Sequence, residues 1–112
     1  MTERYSTPDA ALTLLVQRDD DDITIGFEGY PWHTHADIIA DLRRQSDPES
    51  ALQAYLDDLF HDRLPIVLVK KAGVLTQPFV PDFPDQPIDQ KNLEPDESYE
   101  VRLWSGFSPQ LT

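Results

Sequence analysis

Phe27-Glu28-Gly29-Tyr30-Pro31-Trp32-His33-Thr34-His35-Ala36-Asp37-Ile38-Ile39-Ala40-Asp41-Leu42 is the stretch in which one periodicity gives way to another. Before it, Ile23, Ile25 and Phe27 alternate with Thr24 and Gly26, the period of a half-buried strand. After it, Ile38, Ile39 and Leu42 fall on one stripe of a helix. Gly29-Tyr30-Pro31 supplies the turn between them. Thr34 followed by Asp37 fits a capping box, in which each side chain serves an orphan backbone N–H of the first turn. This predicts a helix from about His35 to Gln45, with Arg43 and Arg44 near the negative end of its dipole.

Upstream, Leu12, Leu14 and Val16 repeat the strand period, so Asp19 to Asp22 fall at the turn of a hairpin. Consecutive aspartates repel one another, which an exposed turn relieves. A Ca²⁺ loop could also gather them, but it would need spaced acids, a central glycine and a closing glutamate. Residues 1–8 are polar, end at Pro8 and read as a loose N-terminal lead.

Downstream, Ser46-Asp47-Pro48 ends one helix and starts the next, with Asp47 as N-cap and Pro48 at the first helical position. Leu52, Tyr55, Leu56, Leu59 and Phe60 then recur at helical spacing. Ile66 to Val69 is apolar on both faces, as a central strand would be. Lys70 to Gly73 reads as a turn and Val74 to Phe79 as the return strand, with Pro78 placing that strand at a sheet edge. Pro78, Pro81, Pro84 and Pro87 recur every third residue, the period of a polyproline II helix. The acidic residues around them favour a stiff crossover that packs Phe79 and Phe83 on the domain over an exposed proline-rich ligand. Tyr99 to Trp104 is the last strand, with Tyr99, Val101 and Leu103 on one face and Glu100, Arg102 and Trp104 on the other.

These elements predict one α+β domain over residues 1–112, of order β-β-α-α-β-β-β. An antiparallel sheet of about five strands carries a helical hairpin on one face. Residues 78–97 form its Pro-rich acidic crossover.

A chain of 112 residues can bury roughly two thirds of the surface it exposes when unfolded. It has no cysteine, which excludes disulfides, thiolate metal sites and a thiol nucleophile. The longest apolar run is too short to cross a bilayer and the N-terminus lacks an apolar signal region, so a cytoplasmic location away from membranes is expected. Twenty-one acids against nine bases give a net charge of -12, spread over both halves. Nucleic acid is not an expected ligand, because phosphate binding needs clustered Lys and Arg and only Arg43-Arg44 and Lys70-Lys71 are adjacent. A basic protein suits this field better.

His33, His35 and Asp37 are spaced so that an extended backbone would bring all three side chains to one face, as a Zn²⁺ site could use. The capping box competes for the same residues: it commits Asp37 to a backbone N–H and turns His35 into the helix, away from His33. No metal or other cofactor is therefore expected. No Gly-rich phosphate loop, Gly-x-Ser-x-Gly or His-Glu-x-x-His pattern is present. What remains is binding. Tyr30, Trp32, Trp104 and Phe107 are rigid aromatics in or beside loops, the residue types that anchor interfaces. The plainer account has a tryptophan closing an end of the core.

In its size, its acidity and the aromatic-histidine block from Tyr30 to His35, the chain resembles, at class level, the small immunity proteins of bacterial toxin systems. The resemblance implies a non-enzymatic inhibitor that covers a basic partner surface. No contact residue is carried over from that class: Tyr30, Trp32, His33 and Trp104 are offered as contacts by their own residue types, and the analogy adds Asp57, Asp58 and Asp19 to Asp22 as steering charges. The alternative is a small metal-dependent or His-dependent enzyme centred on His33 and His35.

Overall fold

The computed structural model describes residues 1–84 and 93–108. It is an α+β fold with two antiparallel sheets and two helices. The first sheet contains β1 (Thr2–Ser6), β2 (Thr13–Arg18), β3 (Ile23–Phe27) and β4 (His33–His35), in that order across the sheet. Next come α1 (Ala36–Leu42) and α2 (Pro48–Phe60), which pack on each other. The second sheet is built from β5 (Ile66–Lys71), β6 (Val74–Phe79) and β7 (Glu97–Arg102) in the order β6-β5-β7.

The expected helical hairpin, the central place of β5 and the edge place of β6 are all present. The single sheet of about five strands is not. Four strands close one sheet and three another, because β4 is only three residues long and runs straight into α1. It offers no extended edge to which β6 could pair. The second sheet packs against the first instead, with β6 beside β3, and one continuous core joins both sheets and both helices. Leu14, Val16, Ile25, Leu52, Leu59 and Ile66 are fully buried in that core. Burying a side chain of this size stabilises by about 1.5–3 kcal/mol.

The expected loose lead at residues 1–8 is instead a strand. β1 pairs with β2 from Thr2↔Gln17 to Ser6↔Thr13. Its alternate residues Glu3 and Tyr5 face inward: Glu3 Oε1 takes the Arg18 Nε–H at 2.7 Å, and the Tyr5 ring lies 5.1 Å from Phe60. Phe60 in turn meets Trp104 at 4.7 Å. The N-terminal strand, α2 and the C-terminal segment are thereby held by one aromatic stack.

A second tie between the chain ends involves Arg102, which is buried. Its guanidinium donates to both oxygens of Asp9, at 2.8 and 3.3 Å, and to the carbonyls of Leu103 and Trp104. A buried cation is tolerated only when its donors are met in this way. Asp9 is held for the purpose by the Thr7 hydroxyl and the Ala11 amide.

The hairpin turn at Asp19 to Asp22 is closed by Asp19 N–H to the Asp22 carbonyl at 2.9 Å. Asp47 caps α2 as expected, accepting from the Glu49 and Ser50 amides. Of the Pro-rich crossover, Pro78 and Phe79 belong to β6 and Val80 is buried, while Phe83 is largely exposed and meets the domain only as one wall of a concavity beside the helical hairpin. Pro87, with the acids Asp85 and Asp89, lies outside the described residues. Among the described residues no helix is long and apolar enough to cross a membrane.

Candidate functional site

The chain leaves β3 through a turn in which Gly29 adopts φ 86° and the Tyr30 amide donates to the Phe27 carbonyl at 3.2 Å. It then returns as β4, with His33 opposite Gly26, Thr34 opposite Ile25 and His35 opposite Thr24. Only the absence of a Cβ at residue 26 permits this pairing. A Cβ there would lie 2.8 Å from the Trp32 carbonyl oxygen and 3.3 Å from the His33 Cβ.

Strand pairing through His35 overturns the capping box. The N-cap of α1 is His35, with extended backbone and no side-chain cap, and the helix ends at Leu42, short of Arg43 and Arg44. Thr34 is a strand residue with a buried side chain, and the Asp37 carboxylate takes only the neighbouring Ile38 amide. An inward-facing Thr34 gains more from burial and ladder pairing than from one cap bond, which explains the shift.

The consequence for the histidines is the reverse of expectation. In an extended strand, residues two apart share a face. His33 and His35 do so, with ring centroids 5.3 Å apart and planes at 87°. His33 Nδ1 lies 3.1 Å from the Pro31 carbonyl, which can only accept, so this nitrogen donates. His35 Nδ1 lies 2.8 Å from Asp22 Oδ2, tying β4 to the aspartate turn. Asp37 does not join them: among the described residues, no group of three or more His, Cys, Asp or Glu is placed to hold a metal.

The remaining expected contact residues divide. Tyr30 and Trp32 are half-buried and pack against the core, with the Trp32 ring 5.8 Å from Phe27. Trp104 is buried and closes an end of the core, as the plainer account had it. Asp57 and Asp58 on α2 are already occupied. Arg63 bridges both, Arg43 reaches Asp58 at 2.8 Å, and His61 reaches Asp57 at 3.1 Å. The arginines hold the Asp58 carboxyl below the usual carboxylate range, Arg63 most strongly. Charges neutralised in this way steer weakly.

The aspartate turn is different. Asp19 to Asp22, Asp37, Asp47 and Glu49 line a cleft of about 470 Å³ between the β2–β3 turn and the starts of the two helices. Seven carboxylates there face one guanidinium, Arg18, which is itself taken up by Glu49 at 2.6 Å and Glu3 at 2.7 Å. Asp19, Asp20, Asp21 and Asp37 have no cationic partner among the described residues. His35 reaches this cleft through Asp22, and the His33 ring lies 5.3 Å further along the strand face.

A second concavity, about 360 Å³, opens between the helical hairpin and the segment from Val80 to Pro84. Ile39, Tyr55, Leu64 and Phe83 contribute to its walls. The sequence carried a sign of this one in Leu42, an apolar helix residue that lines it and stays exposed.

No protein-family model matches the chain, and comparison with curated proteins and with solved structures gave no match.

Proposed function

We propose that this protein is a non-enzymatic binding domain that takes a basic protein partner on its acidic side, in the manner of an immunity-type inhibitor that covers its target. The cleft beside the aspartate turn carries this reading, because its carboxylates outnumber its one guanidinium seven to one. Like charges held together without counter-charge create a local potential of several kT, which draws oppositely charged partners and raises association rates. Lys and Arg from a partner would relieve the repulsion among Asp19, Asp20, Asp21 and Asp37. The half-buried Tyr30 and Trp32, with His33 exposed beside them, lie at the other end of β3 from the aspartate turn and would add apolar contact for a partner broad enough to cover that face as well.

The test is binding of the protein encoded by the adjacent reading frame, measured at low and high salt with the wild-type chain and an Asp19→Asn, Asp20→Asn, Asp21→Asn variant. The reading expects fast association that slows roughly tenfold or more in the variant and falls steeply with salt. Binding insensitive to both, or no binding at all, counts against it.

The contact between His35 and Asp22 supports a second reading, a small His-dependent enzyme in which the carboxylate orients the imidazole as a base. A metal-dependent form has less support, given the absence of a third ligand among the described residues. Stoichiometric zinc in the purified protein, lost on joint replacement of His33 and His35 by Ala, would favour the metal-dependent form and displace the binding reading.

A further inference from the structure

We propose that the pocket between the helical hairpin and the Val80 to Pro84 segment binds a small, uncharged, ring-containing molecule that carries at least one hydrogen-bonding group. Its volume, about 360 Å³, falls in the range of small-molecule sites. It equals the liquid volume of roughly a dozen waters, room for a compound of about a dozen non-hydrogen atoms. The walls are aliphatic at Ile39, Leu64 and Val80 and ring-bearing at Tyr55, Phe83 and Pro84, which suits a flat apolar body.

Two hydroxyls make the site specific. Thr34 and Tyr55 both line the pocket and are each only 8 % exposed, yet neither hydroxyl has a hydrogen-bond partner among the described residues. Neither oxygen is sealed off, since no fully buried side-chain N or O atom among the described residues lacks a partner. Both residues are among those that form the walls of this pocket. Hydroxyls left open at the edge of an apolar cavity are met by water, and a ligand whose polar atoms reproduce those bonds can take the water's place, which makes Thr34 and Tyr55 the points where its polar atoms would bind. Burial pushes the Tyr55 phenol above its ordinary pKa, so it keeps its proton and can donate as well as accept across neutral pH.

The charge of the ligand follows from the walls. Arg43 sits over the Tyr55 ring, 5.7 Å from its centre, and pairs with Asp58 at 2.8 Å, while Asp82 lies on the same wall as Phe83. A cation would meet Arg43, and an anion would meet Asp82 and the field of a chain whose net charge is -12. An uncharged molecule meets neither penalty.

The probe is 2-naphthol, a neutral two-ring compound with one hydroxyl, titrated into the full chain and followed by amide chemical shifts. Saturable shifts centred on Ile39, Leu42, Leu64 and Val80 are expected. Tyr55→Phe and Thr34→Val should each weaken binding roughly threefold to tenfold, the value of one hydrogen bond. Naphthalene-2-sulfonate, its anionic analogue, should bind more weakly. Leu42→Glu, at a partly exposed rim position that tolerates charge, should abolish binding with the melting temperature retained. Three results would each overturn the proposal: no saturation by about 1 mM, the weakest affinity worth calling a site; shifts mapping elsewhere; or affinity unchanged in all three variants.

Discussion

Replacing Gly26 by Ala tests the strand return on which the whole site depends. The φ of Gly26 is not in the left-handed region, so alanine imposes no backbone strain there. With open space around it, the substitution would stabilise the strand by about 0.5–1 kcal/mol through reduced chain entropy. Space is what the structure denies. The new Cβ would meet the Trp32 carbonyl oxygen at 2.8 Å, and a backbone oxygen in a paired strand cannot swing aside as a side chain would. Overpacking of this kind costs about 1–3 kcal/mol. Setting the two effects against each other leaves a net loss of up to about 2.5 kcal/mol, toward the upper part of that range because the clash is with backbone. For 112 residues, with unfolding entropy of about 2.1 cal/mol/K per residue, each kcal/mol lowers the melting temperature by about 4 °C. Thermal scans by circular dichroism should therefore place Gly26→Ala about 5–10 °C below wild type, with amide exchange accelerated in β4. A melting temperature equal to or above wild type would mean that β4 does not lie against β3 as described.

Other consequences can be measured with the same equipment. The carboxyls of Glu3, Asp9, Asp47, Asp58 and Asp62 are all held below their ordinary values, chiefly by Arg18, Arg102, Ser50, Arg63 and Ser105 respectively. A carboxyl with a lowered pKa in the folded chain contributes stability above its unfolded pKa and loses it as pH falls through the folded value. The melting temperature should be level at neutral pH and fall steadily below about pH 4, near the unfolded carboxylate value; a level profile down to pH 2 would contradict these contacts. Leu59→Ala, at a fully buried position of α2, should cost about 2–5 kcal/mol, read from urea midpoints. Trp104→Ala should cost about 3–5 kcal/mol in the same assay, because the ring belongs to the core; a loss under about 1 kcal/mol would return it to the surface. Asp47→Ala removes the acceptor of the Glu49 and Ser50 amides, and faster hydrogen exchange at those two positions is the expected sign.

Much of the fold was legible because burial imposes a period on the sequence. Ile23 to Phe27, Leu12 to Val16 and the α2 stripe are read from spacing alone, and Asp47-Pro48 marks a helix start by its chemistry. The failures came where local chemistry and tertiary packing disagreed. Thr34 has the residue type of a cap, but pairing of β4 with β3 buries it, and no local pattern encodes a three-residue strand. The N-terminal strand was hidden because its inward residues are Glu3 and Tyr5, whose partners Arg18 and Phe60 are remote in sequence. The bond between Asp9 and Arg102 spans 93 positions and is invisible for the same reason. A glycine at position 26, inside an otherwise regular strand, is a sequence sign of the close backbone approach. At the site, the crowding of histidines and aromatics was plain from sequence. Their geometry was not, since it depends on whether residues 33–35 are strand or helix.

The acidic cleft is the part of the surface on which the proposed function stands. Its most direct test is the salt dependence of the association rate between this chain and the protein encoded by the neighbouring reading frame, measured by stopped flow. An acidic docking face requires a rate that falls steeply as salt rises, with the slope flattened when Asp19, Asp20 and Asp21 are replaced by Asn. A rate that is independent of salt, or a slope unchanged in that variant, would contradict it.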